Sequence, residues 1–343
     1  MITGVSEEKQ QLDSMKPLLT IAIPTYNRAR NLRELLSLLF DQLATEPRVE
    51  LIVSDNASSD ETPAVIEEFR QLGHSFRYIR NETNTGPDGN ILQCFEQARG
   101  KYVWIFGDDD ILAADAIGVV TTCLDADEYD LVCVDCFAYR DSQIPKALRS
   151  RQVPTLYTDL RKFVRKFHLY FTFISGNIVN KDRVLARRPP DFSTLIGTGL
   201  VQLGWIYTML NGFVRGLHIQ EKLVGMGLEN HTTNYTLLEI FGPNIKKVTW
   251  DWLQSENLRH TVMHGALQRY WPFILLDFRR SGANIEAEAS PSRILGAVFK
   301  DDFRYWAFVY PVLKLPYGLA ACWLMATRIL NRIDKAFGFI LLN

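Results

Sequence analysis

The sequence predicts an α/β protein, a mostly parallel sheet with helices on both faces, followed by a mainly helical region. Three observations predict it. Short apolar runs of strand character alternate with segments whose apolar residues recur at helical spacing. The strands are separated by helices at intervals that suit parallel crossovers. Each strand exit is polar and rich in small residues. With 343 residues, 47% hydrophobic and 22% charged, the chain can bury a real core as one large domain or two ordinary ones. We divide it into a loose polar leader (1–17) with no apolar run of signal-peptide type, an α/β domain (18–240, with halves 18–115 and 116–240) and a helical region (241–343).

The elements follow in order. Residues 18–23 (LLTIAI) read as a strand closed by Pro24, and residues 30–43 as a helix with Leu32, Leu35, Leu36 and Leu39 on one face. Residues 49–54 (VELIVS) give a second strand and 62–72 a second helix, with Pro63 suited to its first turn. A third strand at 76–79, a third helix at 89–98 and a fourth strand at 102–106 (YVWIF) complete the regular part. Beyond residue 115 the alternation weakens: helix at 114–124, strand at 129–139, a basic irregular stretch at 140–166, and one helix near 201–210. From about residue 243 the pattern is helical and aromatic.

In a parallel sheet, ligands bind at the carboxyl ends of the strands. Here those exits are PTYNR (24–28), DNASSD (55–60), NETNTGPDGN (81–90) and GDDD (107–110), so the sheet predicts one polar edge. Three adjacent carboxylates repel one another, and desolvating them costs several kcal/mol. A divalent cation with a preference for oxygen, Mg²⁺ or Mn²⁺, removes that repulsion and usually shares itself with substrate phosphates. The alternative is a helix N-terminus, where Asp is favoured, with 111–116 beginning the helix. Asp55 suits either a pyrimidine N–H or the turn into the second helix. Tyr26 suits base stacking or packing.

Taken together, IAIPTYNR (21–28), VSDNASSD (53–60), NTGPDGN (84–90) and ARGKYVWIFGDDD (98–110) resemble, in order and spacing, the family 2 glycosyltransferases of GT-A fold, and among them the abequosyltransferase-like enzymes of bacterial O-antigen synthesis. The resemblance is specific over about 18–115, weaker to about 240, and absent beyond. It implies a nucleotide-diphosphate sugar held by Pro24, Thr25, Tyr26, Asn27, Arg28 and Asp55, with Asn84, Gly86 and Asn90 near ribose and phosphates. It implies Mn²⁺ or Mg²⁺ on Asp110, with Asp108 toward the ribose or a metal water, Asp109 alongside, and His231 as a late ligand. Family members usually take the acceptor's proton with a Glu-Asp pair some eighty to a hundred residues past the aspartates. In residues 190–205 (PDFSTLIGTGLVQLGW) that pair is missing, and Val201-Gln202 stands in its place. Asp191 is the nearest candidate base, Glu229 the other.

The remaining features narrow the function. The net charge of −1 gives no argument for nucleic acid. Residues 241–343 carry 13 Lys and Arg against 8 Asp and Glu, so that region is basic. Five scattered cysteines argue against a disulfide framework; Cys133 and Cys136 fall in a strand and read as structural. His260 and His264 lack the third ligand of a metal helix and read as solvated. Residues 315–327 are uncharged but too short to span a bilayer. Their Trp and Tyr beside Lys314 and Arg328 fit a membrane interface, a packed terminal helix pair or a homo-oligomer contact. These readings combine into a metal-dependent, inverting transferase acting on a saccharide or polyprenyl-diphosphate-linked glycan at the inner face of a bacterial membrane. Two rivals stand beside it. A sugar nucleotidyltransferase would carry a glycine-rich basic loop after the first strand, and residues 24–28 are not one. A nucleotide-sugar-binding subunit without turnover would explain the missing base.

Overall fold

The structure, a computed structural model, describes residues 16–139, 153–227, 236–280 and 290–337, with side chains through residue 327. Contacts divide the chain into two compact units, one drawn from Met1–Phe163 and Tyr170–His231, the other from Val164–Leu169 and Thr232–Asn343.

The first unit is built on a nine-stranded sheet. In chain order its elements are β1 (Leu19–Thr25), α1 (Ala29–Leu43), β2 (Val49–Asp55), α2 (Thr62–Gln71), β3 (Arg77–Arg80), α3 (Gly86–Gln97), β4 (Tyr102–Ile105), β5 (Ile111–Leu112), α4 (Ala116–Ala126), β6 (Leu131–Tyr139), β7 (Thr155–Tyr157), α5 (Leu160–Phe167), which runs on into the second unit, β8 (Asn177–Asn180), α6 (Lys181–Ala186), α7 (Gln202–Asn211) and β9 (Gly216–Gly227). The strand order is β3-β2-β1-β4-β8-β6-β9-β5, with β7 against β9.

Strands β1 to β4 are parallel. The helical face predicted for α1 is the buried one: Leu32, Leu35, Leu36 and Leu39 are fully enclosed between α1 and the sheet. Each contributes on the order of 2 kcal/mol by leaving water. The chain steps outward from β1 to β2 and β3, then returns to pair β4 on the other side of β1. That reversal opens a crevice at the carboxyl ends of β1 and β4, where such sheets bind ligands.

Three features of the second half of this unit go beyond the sequence reading. The sheet becomes mixed, because β8 enters antiparallel between β4 and β6, and β9 pairs β6 in parallel across a bulged register. The segment after the aspartates is not a helix. Ile111–Leu112 pairs antiparallel with Val224 and Gly225 of β9, and α4 begins only at Ala116. The basic stretch is also less irregular than expected, since β7 and α5 form within it. Cys133 and Cys136 lie in β6 as free thiols, Cys133 fully buried.

The second unit is helical. Its helices include Ile245–Trp252, Glu256–Gly265, Trp271–Arg280, Pro291–Phe299 and Tyr317–Phe337. Trp271, Leu275, Val309 and Val312 are fully enclosed there, and the Trp271 indole N–H donates to the Phe241 carbonyl at 3.2 Å. His264 departs from its expected solvated position. It is half-buried 3.8 Å from Asp302, and burial lowers its pKa to about 4. Phe303, Trp306, Tyr317 and Trp323 are exposed. Among the described residues, no helix is long and apolar enough to cross a membrane.

Candidate active site

The parallel register carries all four exits to one edge. Thr25 pairs Asp55, and Leu19 pairs Tyr102, so the line of β1 continued upward brings the aspartates level with Thr25 to Arg28. The contacts agree. One Arg28 guanidinium nitrogen lies 2.9 Å from an Asp108 carboxylate oxygen and 2.6 Å from one of Asp109.

The triad divides by burial. Asp108 and Asp110 are each only 6% exposed, while Asp109 is half-buried. Burial pushes the Asp108 carboxyl up to about 6 against the pull of Arg28, and the Asp110 carboxyl up to about 7. The Ser175 hydroxyl donates to Asp110 Oδ2 at 2.5 Å and accepts the Gly107 N–H at 2.8 Å. Gly107 lies close inside this wrap: a Cβ there would fall 3.0 Å from Asp110 Oδ2 and 3.2 Å from Asp109 Oδ1. The Tyr139 hydroxyl donates to the Asp109 carbonyl at 2.9 Å, so the far end of β6 closes the same turn. Gly227, the last residue of β9, packs on that carbonyl so closely that a Cβ would lie 2.7 Å from it.

The β1 and β2 exits are stapled together. Asn27, at φ +52°, donates its N–H to Ser58 Oγ and accepts the Ser59 N–H on its side-chain oxygen. The Ala29 N–H, first in α1, is capped by Asp60 at 3.0 Å. Tyr26 is left 44% exposed beside this staple, and the buried Thr25 hydroxyl lies next to the Asp108 carboxylate, whose pKa it helps to lower.

Asp55 is fully buried, accepting the Ser58 N–H at 2.8 Å and the Tyr78 hydroxyl at 2.6 Å, with Arg80 at 3.5 Å, and these bonds shape the turn after β2. Asn90 is bonded to the Ser54 hydroxyl and carbonyl, and it ties α3 to β2. Asn84 and Gly86 stay at the surface of the crevice; Asn84 accepts from Asn56 and from the Gly86 N–H, and Gly86 takes φ +76°, where a glycine is favoured.

The two candidate bases fare unequally. Asp191 is fully exposed, and its carboxylate accepts the Ser193 N–H and hydroxyl at 2.8 and 2.7 Å. Those bonds hold its pKa below the usual carboxylate value. Glu229 and His231 lie outside the described residues, in the segment that leaves β9 directly after Gly227. Among the described residues, no three His, Cys, Asp or Glu side chains converge as a metal-ligand cluster. Gln202, in the place of the usual pair, is buried in the sheet-facing end of α7 and donates to the Thr172 carbonyl.

Two site residues escaped the sequence reading. Ser175 carried no signal, being 65 positions from Asp110. Asp88 sat in a loop read for its glycines and asparagines, yet its buried carboxylate reaches residues 197–201.

Comparison with known proteins bears on the fold and family. Residues 20–185 match the model of glycosyl transferase family 2. The abequosyltransferase RfbV of Salmonella typhimurium is 41% identical over 181 residues, which is 48% of this chain and 54% of that protein. The chain thus spans about half the length of this curated relative. Two solved structures share the fold. TarS of Staphylococcus aureus, residues 1–349 in complex with UDP-GlcNAc, has a TM-score of 0.60 at 16% identity, covering 94% of this chain and 92% of that one. The mannosyltransferase PcManGT of Pyrobaculum calidifontis, in complex with GDP-Man and Mn²⁺, has a TM-score of 0.53 at 16% identity, covering 94% and 89%. The sheet with its β1/β4 crevice is therefore a GT-A fold, and residues 20–185 of this chain are similar to glycosyl transferase family 2.

Proposed function

We propose that the protein is a metal-dependent, inverting glycosyltransferase that moves a sugar from a nucleoside-diphosphate sugar to a saccharide acceptor carried on a polyprenyl diphosphate, in bacterial surface polysaccharide synthesis. The observation that carries the reading is the pair of nearly buried carboxylates, Asp108 and Asp110, at the β1/β4 crevice, both pushed toward neutrality by burial. Their all-oxygen character fits Mg²⁺ or Mn²⁺. Asp110, Asp108 and His231 would hold that ion, which supplies Lewis-acid stabilisation of charge developing on a diphosphate leaving group.

The other residues act directly. Tyr26 offers an exposed ring for a base, Thr25 a buried hydroxyl beside Asp108, and Pro24 and Asn27 the rigid turn that presents them. Arg28 neutralises Asp108 and Asp109 and stands ready for a phosphate. Asp55 and Asn90 act at one remove, fixing the loops that carry Asn84 and Gly86. For the acceptor's proton, the capped state of Asp191 moves the assignment to Glu229. The exposed aromatics of the second unit, in a basic region, support a peripheral place at the inner face of the membrane, near a lipid-linked acceptor.

One observation favours a second reading. Gln202 at the position of the family's acidic pair supports a subunit that binds a nucleotide sugar without turning it over. Incubation with Mn²⁺, a panel of nucleotide sugars and a polyprenyl-linked glycan fraction separates the two. The transferase reading expects one donor to be consumed with the anomeric centre inverted in the product. Tight donor binding with no consumption under any condition would leave the binding subunit.

A further inference from the structure

The loop between Asp191 and α7 is held by a carboxylate from the other half of the domain. Asp88, in the first turn of α3 and 3% exposed, accepts the Gly197 and Gly199 N–H groups at 2.8 Å each and the Val201 N–H at 3.3 Å. Gly197 and Gly199 lie at φ +90° and +72°, which turns alternate N–H groups inward. That is the geometry of a backbone nest, a concavity that binds anions. Here the chain fills it with its own carboxylate.

The position of this clamp ties it to the site. The first turn of α3 stands at the carboxyl edge of the sheet, where Asn56, just past β2, donates to the Gly86 carbonyl. From the clamped loop the chain enters α7, whose Gln202 donates to the Thr172 carbonyl at 2.8 Å. Three residues on, Ser175 holds Asp110 and Gly107. A continuous path therefore runs from α3 through the nest to the residues behind the aspartates.

We propose that Asp88 is a positioning residue: it fixes residues 197–201 as the wall of the crevice opposite the nucleotide loops, so that the acceptor side is held in register with Asp110. This rests on the transferase reading above. It assigns Asp88 no contact with either substrate. Removing the carboxylate should loosen that wall and leave the nucleotide loops intact, because Asn27, Asp55 and Asn90 secure those independently.

The test compares wild type, Asp88→Asn and Asp88→Ala in two measurements. Hydrogen exchange should show the Gly197, Gly199 and Val201 amides losing protection in Asp88→Ala while those of α3 keep theirs. Transfer kinetics should show kcat falling about 100-fold, the scale of a misplaced wall, with the Kd for nucleoside diphosphate within about threefold of wild type. Asp88→Asn, which keeps an acceptor oxygen, should recover part of the kcat. A kcat unchanged while the loop loses protection overturns the proposal, as does a nucleotide affinity that falls in step with kcat. Unchanged loop protection also overturns it. If Asp88→Ala does not fold, Asp88→Asn carries both measurements. If the wild type transfers no sugar, the transferase reading fails, and the exchange data still decide whether the clamp exists.

Discussion

Asp110→Asn should make the metal-free protein more stable at alkaline pH while destroying its response to metal. The carboxyl of Asp110 has a pKa raised from 3.8 to about 7, chiefly by burial. A raised folded-state pKa gives stability that is fully present below the unfolded value and lost as pH rises through the folded one. Metal-free wild type should therefore weaken steadily between about pH 4 and pH 8. The shift is about 3 units, on the order of 4 kcal/mol at 1.36 kcal/mol per unit, as the full cost of holding that charge. Asparagine is nearly isosteric, keeps an oxygen for the Ser175 hydroxyl and has no charge to hold. In EDTA at pH 8 we expect a melting temperature higher than wild type by several degrees, at about 2–4 °C per kcal/mol for a unit of this size. At or just below pH 4, near the unfolded carboxyl value, the two should nearly coincide. Adding Mn²⁺ at pH 8 should raise the wild-type midpoint and leave the variant's in place. Differential scanning fluorimetry at both pH values, with and without Mn²⁺, makes the comparison. Equal stabilisation of both proteins by Mn²⁺, or a variant with no growing advantage as pH rises, would refute the reasoning.

Three further outcomes follow from the same geometry. Ser175→Ala removes a donor from Asp110 and the acceptor of the Gly107 N–H, so stability should drop by about 1–3 kcal/mol in denaturant titration and turnover should fall with it. Arg28→Ala removes the cation that bridges Asp108 and Asp109; Mn²⁺ should then shift the melting midpoint further than in wild type, while calorimetry shows nucleoside diphosphate binding more weakly. Asp191→Ala should leave kcat within a few-fold of wild type and Glu229→Gln should abolish turnover; a hundredfold loss in Asp191→Ala would return the base to Asp191.

The parts of the fold that were legible in the sequence are those set by local pattern. The leucine face of α1, the VELIVS strand and the four polar exits each declare themselves within a dozen residues, and parallel pairing then brings them to one edge. The aspartate triad was legible as a charge problem but not as a conformation. A helix start and a turn into a short strand are equally open to GDDDIL, and the choice is made by Val224 and Gly225, more than a hundred residues away. Separation in sequence likewise hid Ser175 and Asp88, whose partners come from separate elements. Asp55 and Asn90 show the reverse case. Their residue types suit ligand binding, and in the structure the same side chains also hold the loops that carry them. A polar side chain's type gives its chemistry, while its free valence depends on neighbours that one strand exit does not contain.

The most direct test of the central claim is coupling between metal and nucleotide at Asp110. Isothermal titration of wild type and Asp110→Ala with UDP, GDP, CDP and dTDP, each with Mn²⁺ and with EDTA, measures it. The account predicts that at least one nucleoside diphosphate binds wild type at least about tenfold more tightly with Mn²⁺, a coupling of about 1.4 kcal/mol, and that Asp110→Ala loses this difference. Binding that is equal with and without metal, and indifferent to Asp110, would contradict it.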